Sequence, residues 1–203
     1  MPDNGDPQAV SAPANAAAAS AGLEALMRAA GAGQTSGAGL RPVESWNPPY
    51  CGDIGLKICA DGTWQYQASP IGRISMVKLF ASILRKDADG KTYLVTPAEK
   101  VDVAVEDAPF LAVDCAVSGA GAHQVLTFRT NVDDVVTVDA AHPIRFVRQG
   151  PSGGLKPYVL VRGRLEALVT RAVYADLVAM AVPRAGDSSA LGLWSGGVWW
   201  ELA

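Results

Sequence analysis

The stretch IGLKICADGTWQY, residues 54–66, decides how the folded part of this chain begins. Apolar residues stand at every second position on both sides of Asp61-Gly62, from Ile54 to Ile58 and again at Trp64 and Tyr66. This alternation is typical of strands with one buried face, and Asp-Gly is a favoured pair for a tight turn. The stretch therefore predicts a β-hairpin with a primed turn.

Beyond Ser69-Pro70 the apolar period changes from that of a strand to that of a helix. One predicted helical face carries Ile74, Val77, Phe80 and Leu84, and the opposite side carries Arg73, Lys78 and Arg85. We expect this helix to lie across the hairpin.

The rest of the chain predicts further strands and a second helix, with a break at residues 106–109. The predicted strands are residues 93–95, 101–105, 111–117, 125–130, 135–138 and 158–162, the second helix covers 170–181, and the last strands flank Ser195-Gly196-Gly197. Pro70-Ile71-Gly72-Arg73 and Pro143-Ile144-Arg145 also resemble each other, and each precedes a strand that begins with tyrosine. This repetition is a weak indication of duplication.

Composition limits the function classes. The 203 residues carry a formal net charge of −3, which disfavours nucleic acid and anionic membranes as partners. Residues 1–42 are rich in Ala, Gly, Ser and Pro and predict a disordered tail. Three cysteines without ligand spacing, an acidic N-terminus and the lack of a long apolar run predict a cytoplasmic protein without a metal or cofactor.

Catalytic motifs are absent from the sequence. The glycine-rich stretches match no dinucleotide or phosphate fingerprint, and the two histidines stand in turns. The residues leave two alternatives to a binding function open. One is a hydrolase that uses Asp53, Glu99 or Cys51, and the other is a structural protein-interaction partner. A dense group of polar and aromatic residues in the first half has two interpretations. In one, Thr96 and Glu99 form a capping-box-like corner and the tryptophans belong to the core. In the other, the group is a recognition surface. We expect its members to be Trp46, Asp53, Trp64, Arg73, Thr96, Glu99 and Lys100.

Several of these residues fall in segments that together resemble a bacterial family, domain of unknown function 1285. The segments are Trp46 to Ile54, Asp61 to Trp64, Ser69 to Arg73, Leu79-Phe80, Tyr93 to Lys100, Asp107 to Phe110, Leu165 to Ala167 and Leu193 to Trp200. The resemblance spans about residues 43–202.

This resemblance implies an α+β body of two related modules, residues 43–108 and 109–203. Each is a curved, roll-like antiparallel sheet with one helix, and the second superficially resembles a pleckstrin-homology fold. It implies no catalytic residues, and it suggests signal transduction. Concave sites commonly form at subdomain interfaces. We therefore expect a module that binds a small ligand or peptide in the groove between the two sheets, with Arg73 facing an anion or pairing with Glu99 or Asp53.

Overall fold

A computed structural model describes residues 27–29, 31, 41–150 and 153–202. Most of the predicted tail therefore lies outside the described residues. Residues 27–29 and 31 are helical, and Met27 packs against the hydrophobic core. Disorder of the remaining tail stays a prediction.

The first module forms a six-stranded sheet and one helix. Its strands are β1 (Tyr50–Ile58), β2 (Trp64–Tyr66), β3 (Ser69–Pro70), β4 (Leu84–Lys86), β5 (Thr92–Val95) and β6 (Lys100–Val105), and helix α1 (Ile74–Ala81) connects β3 to β4. A short 3₁₀ helix, Val43–Ser45, precedes them. The spatial order is β3-β2-β1-β6-β5-β4.

The second module repeats this order in a second six-stranded sheet, β10-β11-β12-β7-β8-β9. Its strands are β7 (Phe110–Ser118), β8 (Val125–Thr130), β9 (Val135–Thr137), β10 (Ile144–Arg148), β11 (Leu155–Arg162) and β12 (Leu165–Val169). Helix α2 (Arg171–Ala179) follows β12. Strands β13 (Val182–Arg184), β14 (Asp187–Ser195) and β15 (Val198–Glu201) form a separate three-stranded sheet.

The two modules share one topology. In each, three strands form an antiparallel meander, three more form another, and the sixth strand lies parallel to the first, as β6 to β1 and β12 to β7. The sheets are therefore mixed and not antiparallel as predicted. Apolar alternation shows which face of a strand is buried but not the direction of its neighbour. The α+β class and the duplication are confirmed, although α1 and α2 occupy different places in the repeat.

The predicted hairpin is present, with Leu56 opposite Tyr66 and Ile58 opposite Trp64. Its turn is different. Within residues 59–63 Gly62 alone has a positive φ, 83°, and its amide donates to the carbonyl of Cys59, so the loop is a type I turn followed by a glycine bulge. A primed turn occurs instead between β14 and β15, where Gly196 and Gly197 have φ values of 60° and 73°.

Helix α1 is shorter than predicted. Phe80 is fully buried and Val77 nearly so, as the pattern requires, whereas Ile74 is 57% exposed. Leu84 and Arg85 belong to β4 and not to the helix. The helix ends early because Ile83 already donates from its amide to Phe80 in a tight turn that leads into the strand.

Helix α2 buries Val173 and Leu177 as predicted. It ends at Ala179, before the predicted Ala181. The chain then enters β13. Strands β13, β14 and β15 form their own sheet, so the last strands do not complete the second module's six-stranded sheet as predicted. No helix among the described residues has the length and apolar character needed to cross a membrane.

Candidate functional site

A polar network covers the face of the first sheet that points away from the core. On β6, Lys100 and Asp102 alternate with buried Val101 and Val103, so the polar pair lies on this outer face. Arg85 of β4 stands directly opposite Tyr93 of β5 on the same face. The outer face is therefore lined by side chains from three adjacent strands.

Arg85 is the buried centre of this network. Its Nη1 donates to the backbone oxygens of Val43 (2.8 Å) and Trp46 (2.7 Å), and its Nε donates to Asp87 Oδ1 at 2.6 Å. Lys100 Nζ lies 3.2 Å from Asp87 Oδ2. Burial raises the pKa of Asp87, but hydrogen bonds from Arg85 and Lys100 outweigh it and hold that pKa below its usual range. Arg85 thus ties residues 43–46 to the sheet.

Two tyrosines extend the network along the sheet. The Tyr93 hydroxyl donates to Asp89 Oδ2 at 2.6 Å, and this hydrogen bond, with burial, raises the pKa of Tyr93 to about 12. The Tyr50 hydroxyl donates to Asp102, which likewise raises the pKa of Tyr50. The two rings meet edge to face with centroids 6.3 Å apart. Both hydroxyls therefore keep their protons at neutral pH.

A cavity of about 350 Å³, which we call the N-module cavity, is lined by Asp102, the residue that accepts the Tyr50 hydroxyl. Asp53 of β1 and Asp102 of β6 are register partners on neighbouring parallel strands, and both line it. Lys91 and Thr92, at the start of the adjacent strand β5, also line it. Like charges opposite each other on a sheet repel, and Lys91 is the cation among the described lining residues.

The other predicted site residues are spread over the first module. Thr96 is buried at the corner between β5 and β6, where its Oγ1 accepts from the amides of Ala98 (3.3 Å) and Glu99 (3.1 Å). The Thr96 half of the predicted capping-box-like corner therefore forms, whereas the Thr96 amide donates to the backbone carbonyl of Glu99 at 2.9 Å and not to its side chain. Trp46 contributes its carbonyl to Arg85, and Lys100 lies over the Tyr93 ring at 4.4 Å.

Trp64 and Arg73 lie apart from this network. Trp64 is 1% exposed and packs on Phe80 in the core, a position that a ligand outside the core does not reach. Arg73 is exposed at the start of α1, and among the described residues it makes no ion pair, with Glu99, Asp53 or any other carboxylate. The predicted structural pair is therefore absent.

Sequence reasoning missed Arg85, because it was assigned to the exposed side of a helix. A signal was available: Arg85 and Asp87 are two residues apart, a spacing that puts both side chains on one face of a strand. Their ion pair, with the Arg85 side chain only 9% exposed, is what that spacing predicts for a strand.

Contacts between the modules occupy the boundary where a ligand groove was predicted. Lys78 of α1 pairs with Asp133, and Arg162 of β11 pairs with Asp134 while its Nη2 donates to the carbonyl of Ala81 at 2.6 Å. The hairpin turn also closes on the second module, since a Cβ at Gly62 would lie 2.9 Å from Leu111. The N-module cavity is lined by residues of the first module alone.

The second module has an arginine in the place that Arg85 occupies in the first, although this arginine, Arg145, is 51% exposed and pairs with Glu166. Arg145 of β10 stands opposite Tyr158 of β11, as Arg85 stands opposite Tyr93, and its guanidinium carbon lies 4.5 Å from the Tyr158 ring centroid. Arg145 is thus the counterpart of Arg85 and not of Arg73, so the repetition seen around Arg73 and Arg145 was misaligned. Tyr93 of β5 and Tyr158 of β11 do occupy equivalent places in the two sheets.

The C-terminal motif around Ser195 is structural. The Ser195 hydroxyl donates to the carbonyl of Val138 at 2.7 Å and accepts from the amide of Leu126 at 2.9 Å, and Ser195 is fully buried. The Nδ1 of His142 lies 3.2 Å from Asp139 Oδ1. Because the Ser195 hydroxyl is fully buried and donates its proton to a backbone carbonyl, it is not placed as a nucleophile.

Metal ligands do not gather in the part of the chain that the structure describes: no group of three or more His, Cys, Asp or Glu side chains comes together there. Cys51 is exposed, and its Sγ lies 3.6 Å from the carbonyl of Pro49. Both histidines belong to the second module, His123 in a 3₁₀ helix and His142 after β9.

The fold defines a class: a protein of two α+β modules in which one six-stranded sheet topology is repeated. The chain belongs to the DUF1285 family. The family model described as "Domain of unknown function (DUF1285), N-terminal domain" matches residues 41–108, and "Protein of unknown function (DUF1285), C-terminal domain" matches residues 109–202. The resemblance drawn from the sequence is confirmed.

Two solved structures of DUF1285 family proteins are similar to this chain. One, from Silicibacter pomeroyi DSS-3, shares 45% identity and a TM-score of 0.78 over 87% of this chain and 93% of its own. Another, from Shewanella baltica OS155, shares 31% identity and a TM-score of 0.50 over 63% of this chain and 92% of its own. No curated protein matches the chain.

Proposed function

We propose that this protein is a non-catalytic binding module that holds a small cationic ligand, or a basic side chain of a peptide, in the N-module cavity. One observation carries the proposal: the carboxylates of Asp53 and Asp102 are register partners on neighbouring strands and line the same cavity. A ligand cation between them would relieve their mutual repulsion.

The neighbouring aromatic residue supports a cationic ligand. Tyr50 is 56% exposed, and its hydroxyl donates to Asp102, one of the two acidic lining residues. A cation near a tyrosine ring is attracted by the negative face of the ring. Lys91 is the cation among the described lining residues, and its backbone lies in the turn before β5.

This proposal places the site on the outer face of one module and not in the groove between the modules. The boundary contacts of Lys78, Arg162 and Gly62 use the surfaces that would face such a groove. The signalling role that the family resemblance implies stays a prediction, as does the hydrolase alternative with Asp53, Glu99 and Cys51.

The test is calorimetric titration with N-acetyl-lysine methylamide and with its uncharged norleucine analogue. We expect saturable binding of the lysine compound, a much weaker signal for the norleucine compound, and weaker binding as salt concentration rises. Asp53→Asn and Asp102→Asn should each lower the affinity about tenfold, because each removes one partner of the cation while keeping side-chain shape.

Asp114→Asn is the matched control, because Asp114 is an exposed carboxylate of the second module, 61% exposed, outside the cavity. It should bind the lysine compound like the parent. Equal binding of the two compounds, or parent-like binding by both cavity variants with unchanged thermal unfolding, would contradict the proposal.

A further inference from the structure

A second cavity lies in the second module, between β11, β12 and α2, and no motif in the sequence pointed to it. It has a volume of about 350 Å³, close to the lower end of the range for small-molecule sites. Its apolar lining residues, which we together call the floor, are Leu155, Pro157, Leu168 and Val169. We call it the C-module cavity.

The floor can take up an apolar ligand but gives no partner to a polar one. Pro157 and Val169 are buried and Leu155 and Leu168 are half-buried, so part of this apolar surface faces the cavity and water. Covering it with an apolar ligand gains about 25 cal/mol for each Å² removed from water. A small polar anion without an apolar part would gain nothing from this floor.

The rim of the cavity carries an excess of positive charge. Lys156 lines it, but its Nζ is held 2.6 Å from Asp107 Oδ2, so this charge is already compensated. Arg171, the first residue of α2, also lines the cavity and is exposed. Among the described residues its guanidinium makes no ion pair or hydrogen bond. Its charge is therefore available to a ligand.

Tyr174 adds one more polar group, one turn further along α2. Its ring is half-buried and packs against the core, and it lines the same cavity as Arg171. Residues three apart on a helix lie on one face, so the phenol and the guanidinium border the cavity from the same side. Together they offer donors to one end of a ligand whose other end lies on the apolar floor.

We infer that the C-module cavity binds a small amphipathic carboxylate, with its apolar chain on the floor and its carboxylate on Arg171. A guanidinium presents two parallel donors that match the two oxygens of a carboxylate. The charge complementarity selects an anionic head, and the floor selects an apolar chain. This site is independent of the proposed cation site on the first module, with which it shares no residue.

Calorimetric titration of the full chain with octanoate, 1-octanol and acetate tests the inference. We expect octanoate to bind saturably, 1-octanol at least about tenfold more weakly, and acetate without measurable heat, because only octanoate satisfies both the floor and Arg171. The affinity for octanoate should fall as the salt concentration rises.

Two variants assign the binding to this cavity. Arg171→Gln should lower octanoate affinity by about tenfold or more and leave 1-octanol affinity unchanged, since only the carboxylate uses the guanidinium. Leu168→Asn should weaken both compounds, because it makes the floor polar. Arg164→Gln is the matched control: Arg164 is an exposed arginine in the turn between β11 and β12, outside the lining residues, and its variant should bind octanoate like the parent.

Thermal unfolding of each variant shows whether its fold is intact, and if Leu168→Asn unfolds, the Arg171→Gln comparison alone decides. The inference is overturned by absence of saturable octanoate binding, by equal affinity for octanoate and 1-octanol, or by an Arg171→Gln protein that binds octanoate like the parent. Loss of octanoate binding in Asp53→Asn would also overturn it, because that residue belongs to the other cavity.

Discussion

Arg162 of the second module donates from its Nη2 to the carbonyl of Ala81, the last residue of α1 in the first module, at 2.6 Å. The last carbonyls of a helix lack partners within the helix and carry partial negative charge, so a guanidinium there is favourable. The same side chain pairs with Asp134, lies over the Phe110 ring at 4.9 Å and is 14% exposed. One arginine thus joins the helix of one module to the sheet of the other.

Arg162→Gln should lower the free energy of unfolding by about 1.5–3 kcal/mol, because a buried charged donor is lost and Asp134 loses its ion-pair partner. Chemical denaturation measures this loss. Arg164→Gln, two residues further on in the exposed turn, should unfold like the parent. Equal effects of the two variants would show that the contact with Ala81 contributes nothing to the boundary.

Phe80→Ala should cost about 3–5 kcal/mol, because Phe80 is fully buried in α1 and its removal leaves a cavity beside Trp64. Ile74→Ala in the same helix should cost far less, since that side chain is 57% exposed. Lys78→Ala should change stability little, because its pair with Asp133 is exposed. A large effect at Ile74 would contradict the observed helix orientation.

Arg85→Lys and Arg73→Lys make the same substitution at a buried and at an exposed position. The first should lower stability by about 1.5–3 kcal/mol, because lysine cannot reproduce the donors to Val43, Trp46 and Asp87 in one plane. The second should leave the melting temperature unchanged. A ligand role of Arg73 stays a prediction, and an Arg73→Lys protein that fails to fold would contradict the exposed position.

Ser195→Ala should destabilise the protein by about 1–3 kcal/mol, because the amide of Leu126 would then be buried without its hydrogen-bond partner. Ser189→Ala is the control in the same strand. The Ser189 hydroxyl bonds only locally, to exposed Asp187 at 2.6 Å, so its loss should be nearly neutral. Thermal unfolding of both variants distinguishes a structural serine from a surface one.

Asp107 should contribute stability that depends on pH. Burial raises its pKa, but hydrogen bonds from Lys156 and Tyr158 outweigh burial and lower that pKa below its usual value. A carboxyl whose pKa is lower in the folded state than in the unfolded state stabilises the fold. This stabilisation is fully present above the unfolded-state pKa and is lost as the pH falls through the folded-state pKa. Asp107→Asn should therefore be destabilised at pH 7, and its deficit should shrink below about pH 4.

Chemical denaturation at pH 7 and pH 3 measures this change, with Asp114→Asn as the exposed control. Asp114 is 61% exposed, so its deficit should be small at both pH values. A deficit of Asp107→Asn that is the same at both pH values would show that the carboxylate charge does not contribute.

Local patterns in the sequence determined much of the secondary structure. Alternation at Leu56, Ile58 and Trp64 specified the hairpin, and the spacing of Val77 and Phe80 specified the buried face of α1, because side-chain periodicity follows directly from backbone geometry. The family resemblance was visible in the sequence, and the two-module organisation was what that resemblance implied. The Thr96 half of the corner formed as its sequence indicated.

Tertiary structure alone decided the rest. That β6 runs parallel to β1, that Asp53 meets Asp102 in a cavity, and that Arg162 reaches Ala81 all depend on which distant strands become neighbours. No local period encodes that choice, because it is set by how two sheets and two helices bury their apolar faces together. The two cavities have the same origin, and so the side chains around them, Arg171 among them, could not be selected from the sequence.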